Sequence, residues 1–134
     1  MNRRICVVAL VLLGLFHPAG AHAGDTDKLD VAVRGKKMTL TMYVPKPGVA
    51  VRGTIFMGSG DVGWVGLATT LAAFLADRGY VVAGINARQD MSAIADGSEH
   101  LRVDQVPADY ETLAAALRAR SLLVRPVILA GVSE

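Results

Sequence analysis

Cysteine is nearly absent from this chain of 134 residues: Cys6 stands alone, which excludes an intrachain disulfide framework and a thiolate metal cluster. Aromatic residues make up 5%, too few for a base-stacking platform, and five prolines do not make a proline-rich linker. Charge is also sparse. Charged side chains account for 19% of the sequence, with 14 Lys plus Arg against 12 Asp plus Glu, so no concentrated basic face is available for nucleic acid. No Gly-x-y register suggests collagen. What is present is apolar: 52% of residues are hydrophobic, a proportion that argues against a disordered tail and for one small globular α/β unit or part of one.

The first 23 residues distort those totals. Arg3 and Arg4 form a positive start, Ile5 to Phe16 is an almost unbroken apolar run, and Ala21-His22-Ala23 is a small-x-small cleavage signal before Gly24. The run is about 12 residues where a spanning helix needs about 20, so the pattern predicts a secretory signal peptide over residues 1–23 and no stable membrane span in the mature chain. Removing it takes Arg3 and Arg4 and leaves 12 basic against 12 acidic residues, a net charge of zero. Cys6 leaves as well. It precedes the apolar run, where a lipoprotein cysteine would follow it. The expected location is therefore periplasmic or secreted.

Beyond the leader the pattern alternates between strand and helix periods. Leu29 to Val33 and Met38 to Val44 alternate apolar with polar residues around Arg34-Gly35-Lys36-Lys37, which predicts two antiparallel strands and a turn. Gly53 to Met57, Tyr80 to Ile85 and Pro126 to Ala130 are continuous apolar runs of the kind that both faces of a parallel sheet require. Between them, Leu67, Leu71, Phe74 and Leu75 predict a helix from Trp64 that ends at Gly79, and Tyr110, Leu113, Ala114 and Leu117 predict another between Pro107 and Arg120. Arg88 to Arg102 is polar without a clear period and reads as a surface loop. The expected fold is an α/β sheet, two antiparallel strands followed by parallel strands with crossover helices. Its last strand belongs in the interior of a sheet, yet the chain stops there, so a longer protein is expected.

Two loops follow the carboxyl ends of parallel strands, where open α/β sheets bind ligands. Gly58-Ser59-Gly60-Asp61-Val62-Gly63 has the formal Gly-x-Gly-x-x-Gly spacing of a dinucleotide loop. The next strand, however, ends in Asn86-Ala87-Arg88 without the acidic residue that holds a ribose, although Arg88 would suit a 2′-phosphate. A glycine turn that only lets helix and strand pack is the plainer alternative. The second loop, Gly131-Val132-Ser133-Glu134, is four-fifths of a Gly-x-Ser-x-Gly elbow, which holds a serine in a sharp strand-to-helix turn; an ordinary strand-end turn is its alternative. Ser133 is the candidate nucleophile. Asp61 and Trp64 are candidate substrate contacts, with a turn or cap role for the first and a packing role for the second as alternatives. No His, Cys or carboxylate cluster has metal-ligand spacing, and no cofactor is implied.

The order of strands, with Ser133 after the fifth, resembles the first half of an α/β-hydrolase. The resemblance implies acyl transfer from a small-molecule or lipid ester and an oxyanion hole lined by the backbone N–H groups of Ser59, with Gly60 close by, and Glu134. Met57 stands where many members carry histidine. The run Ser59-Gly60-Asp61-Val62-Gly63-Trp64 is also similar to the Ser-Gly-Asp-Gly-Gly-Trp loop of the VirJ/AcvB-type bacterial virulence proteins, with Val62 at the place of a glycine. That family is associated with aminoacylated phospholipids. The histidine and acid of a triad would follow the serine in chain order, so the fragment alone is expected to be inactive. His100, the one histidine beyond the leader, reads as a solvated or structural residue. A binding or virulence-associated protein that keeps the scaffold without the chemistry is the rival reading.

Overall fold

A computed structural model of the protein describes residues 26–94 and 103–133. The predicted leader, His100 and Glu134 lie outside the described residues.

The alternating segments form β1 (Asp27–Val33) and β2 (Lys36–Tyr43), paired antiparallel from Asp27 opposite Met42 to Val33 opposite Lys36. Both turn residues have positive φ, Arg34 at 51° and Gly35 at 75°, the backbone that suits the right-handed twist of a tight hairpin. Arg34 tolerates it with its side chain anchored: Nε donates to Asp109 Oδ1 at 3.0 Å, and the second guanidinium arm reaches Oδ2 of the same carboxylate. The continuous apolar runs become β3 (Gly53–Gly58), β4 (Tyr80–Ile85) and β5 (Val127–Gly131). The sheet order is β1-β2-β4-β3-β5, with β3 parallel to both neighbours and β2 antiparallel to β4.

Successive strand residues face opposite sides, so Phe56, Val81 and Ala83 share one face while Ile55, Met57 and Val82 share the other. The first face packs on α3 (Val106–Ala119), which follows a short 3-10 turn over Val103–Gln105. Leu113 and Leu117 of α3 are buried there, with Tyr110 and Ala114 against the same cluster, as the helical spacing predicts. The second face packs on α1 (Leu67–Ala76).

Two expectations are corrected. The helix predicted from Trp64 starts at Leu67, because Gly63 (φ 88°) and Gly66 (φ 57°) extend the loop. Its buried stripe is Ala68, Ala72 and Ala76, while Leu67 and Phe74 are about half exposed. Small side chains let helix and sheet approach closely, and Leu71 and Leu75 flank the contact. The stretch predicted to be a loop from Arg88 begins with a helix, α2 (Ala87–Ile94). Asn86 starts it: its carbonyl accepts from Asp90 N–H at 2.8 Å and its Oδ1 from Gln89 N–H at 3.3 Å. Strand β5 is the edge of the described sheet, with Leu129 60% exposed, the uncovered apolar edge expected of a sheet that continues in a longer protein.

Candidate active site at the carboxyl rim of the sheet

Because β3, β4 and β5 run parallel, their carboxyl ends lie on one rim. Gly58 is opposite both Ile85 and Gly131. The Gly58–Ser59 peptide ties the three strands together: Ser59 N–H donates to Ile85 O at 2.9 Å, and Gly58 O accepts from Val132 N–H at 2.9 Å. The backbone therefore brings Val132, and with it the exposed Ser133 that follows, to the same rim as the glycine loop. The same geometry corrects one expectation. The Ser59 N–H is committed to the sheet and is not a free oxyanion donor.

The loop is held from several sides. Ser59 is buried, and its Oγ accepts from Ala87 N–H at 3.0 Å and donates to Gly60 O at 3.3 Å. Gly60 O also accepts from Gly63 N–H at 3.1 Å, closing a four-residue turn with Asp61 and Val62 at its centre. Neither central residue has positive φ, so Val62 takes its place in the turn without needing the conformational freedom of glycine. Gly63 does need its glycine: φ is 88°, and a β-carbon would lie 3.2 Å from Asn86 Oδ1. Trp64 then lies across Gly84 of β4, where any β-carbon would collide with the indole, and its Nε1 donates to Tyr43 OH at 3.3 Å.

Ser59, Gly60, Asp61, Ala87 and Arg88 line an open cleft of about 370 Å³. The structure thus brings Ser59, Gly60 and Asp61 together on the rim that carries Ser133. Trp64 is not among the residues that line this cleft; its indole packs over Gly84 and pins the loop to the sheet. Arg88 enters the lining through α2, a helix that the lack of apolar period concealed. The Asn86-x-x-Gln89 spacing, a cap residue followed by an amide at the third helical position, was the signal for it. The dinucleotide reading fits poorly, since Trp64 to Gly66 separate the last glycine of the spacing from α1.

Asp90, one turn into α2, is buried at 3% exposure with Oδ2 lacking a hydrogen-bond partner. Burial pushes its carboxyl above the ordinary carboxylate range, against the opposing pull of the Asn86 and Thr39 backbone N–H groups. Among the described residues no group of His, Cys, Asp and Glu could hold a metal ion. No helix among them is long and apolar enough to cross a membrane.

A mixed sheet of this order, with Ser133 following β5 on the rim that carries the glycine loop after β3, matches one half of an α/β-hydrolase fold, and solved structures agree. A lidless α/β serine hydrolase from Xanthomonas campestris aligns with a TM-score of 0.51 at 21% identity, over 79% of this chain and 50% of its own. Esterase 2 of Thermogutta terrifontis aligns at 0.52 and 20% identity, over 82% of this chain and 42% of its own. A dienelactone hydrolase-like promiscuous phosphotriesterase from metagenomic libraries aligns at 0.53 and 16% identity, over 79% and 48%. The chain spans about half the length of these neighbours. No family model and no curated protein matches the sequence.

Proposed function

We propose that this chain is the nucleophile-bearing half of an exported serine hydrolase that cleaves carboxylic esters, lipid esters among them, by acyl transfer to water. The observation that carries the reading is the register of β3 with β5. Gly58 opposite Gly131, with Val132 N–H on Gly58 O at 2.9 Å, puts the serine and the glycine loop on one rim. In the reaction, Ser133 Oγ attacks the ester carbonyl carbon as its proton passes to a general base. Backbone N–H groups stabilise the oxyanion, including that of Glu134, the residue after the nucleophile. Collapse of the tetrahedral intermediate expels the alcohol with a proton, and water then releases the acid from the serine. The histidine and acid follow the serine in chain order in this fold, so they belong to the remainder of the protein. Residues 24–134 alone are therefore inactive.

The leader over residues 1–23 supports export to the periplasm or beyond. The Ser59 to Trp64 run supports the narrower reading of a VirJ/AcvB-type virulence protein, and with it a lipid-linked ester as substrate. The test is labelling of the full-length protein with a fluorophosphonate, in which Ser133 Oγ displaces fluoride from phosphorus. Stoichiometric labelling of Ser133, lost in Ser133→Ala, is the expected result. A full-length protein that takes up no label is instead the non-catalytic binding protein on a hydrolase scaffold.

A further inference from the structure

With Ser59 N–H bonded to Ile85 O, the glycine loop needs another donor for the oxyanion, and the hydroxyl of Ser59 supplies the means to aim one. The carbonyl of Gly60 accepts from Ser59 Oγ at 3.3 Å and from Gly63 N–H at 3.1 Å. The Gly60–Asp61 peptide is trans, as the only cis bond among the described residues is Arg125–Pro126. In a planar trans peptide C=O and N–H point in opposite directions, so fixing this carbonyl on Ser59 Oγ and Gly63 N–H turns Asp61 N–H away from both. Asp61 N–H has no hydrogen-bond partner among the described residues, and Asp61 lines the cleft. The anchor for this arrangement is remote from the loop. Ser59 Oγ is itself fixed by Ala87 N–H at 3.0 Å, in the first turn of α2.

We propose that Ser59 is a positioning residue whose hydroxyl, held by the start of α2, orients the Gly60–Asp61 peptide so that Asp61 N–H is the loop's oxyanion donor. The inference rests on the serine-hydrolase reading above. It places Asp61 in the site through its backbone, and leaves the carboxylate side chain outside the chemistry.

The experiment measures fluorophosphonate labelling rates at Ser133 in the full-length protein, for wild type, Ser59→Ala and Ser59→Thr. The phosphonyl oxygen occupies the place of the oxyanion. Removing an oxyanion donor outright costs roughly 100- to 1000-fold, so releasing its orientation is expected to slow labelling about 10- to 100-fold in Ser59→Ala. Ser59→Thr, which keeps the hydroxyl, restores most of the rate. A wild-type rate in Ser59→Ala overturns the inference while leaving the hydrolase reading intact; an unlabelled wild type overturns the hydrolase reading first.

A second measurement needs no variant. In wild type, hydrogen exchange at the Asp61 amide is expected to slow at least about tenfold once Ser133 is phosphonylated, as the N–H gains an acceptor. The Ser59 amide, already bonded to Ile85 O, stays unchanged. Unaltered exchange at Asp61 overturns the assignment whether or not Ser59→Ala folds.

Discussion

The two faces of the sheet are packed by different means. On the α3 face, Leu29, Val33, Leu40, Phe56, Leu113 and Leu117 fill the space with large side chains. On the α1 face, Ala72 and Ala76 meet Ile55, Met57 and Val82, and the thickness lost to alanine is replaced at the rim by Trp64 over Gly84. One face is built for cohesion. The other brings a helix close enough for the loop before it to reach the carboxyl ends of the strands.

Substitutions on each face sharpen that contrast. Leu117→Ala empties a fully buried site on the α3 face and is expected to cost about 3 kcal/mol in urea unfolding, with little change in Ser133 labelling rate beyond that due to unfolded protein. Gly84→Ala pushes the indole off β4 and is expected to cost about 2 kcal/mol, but here the labelling rate falls as well, because the loop loses its pin. Equal effects of the two on labelling would erase the distinction between the faces. A smaller change follows from Asp90. Its folded-state pKa is raised, so the chain is relatively more stable below the ordinary carboxylate range and loses that contribution as pH rises through the folded-state pKa. Asp90→Asn should flatten this part of the dependence, seen as a smaller difference between urea midpoints at pH 4 and pH 8 than in wild type. Phe74→Ser is expected to be worth no more than about 0.5 kcal/mol, since the ring is 48% exposed and stacks against Arg78 rather than the core.

That last substitution marks where the sequence misleads. The spacing of Leu67, Leu71, Phe74 and Leu75 has a helical period, and the helix exists, but alanines form its inner stripe. Hydrophobic period identifies an element more reliably than it identifies the side that faces a sheet, because alanine carries little apolar signal and still packs closely. The hairpin, the three parallel strands and the α3 face were legible, since each depends on local alternation or on an uninterrupted apolar run. The glycine loop and the Gly131-Val132-Ser133 segment are legible as separate strand-end motifs, and their placement on one rim follows from the parallel pairing of β5 with β3. Helix α2 was not, because its character rests on the Asn86 cap and on burial of a carboxylate at position 90. The commitment of Ser59 N–H to Ile85 was equally hidden, for it arises from strand register and no residue type announces it.

The chain contains one tryptophan, and the fold has put it where the glycine loop meets the strands. Its indole lies 6.2 Å from the ring of Tyr43, centroid to centroid, near enough for efficient energy transfer from that phenol. The tryptophan emission of this chain therefore reports on a single locus: a shift of the loop would register as a spectral change without any attached dye.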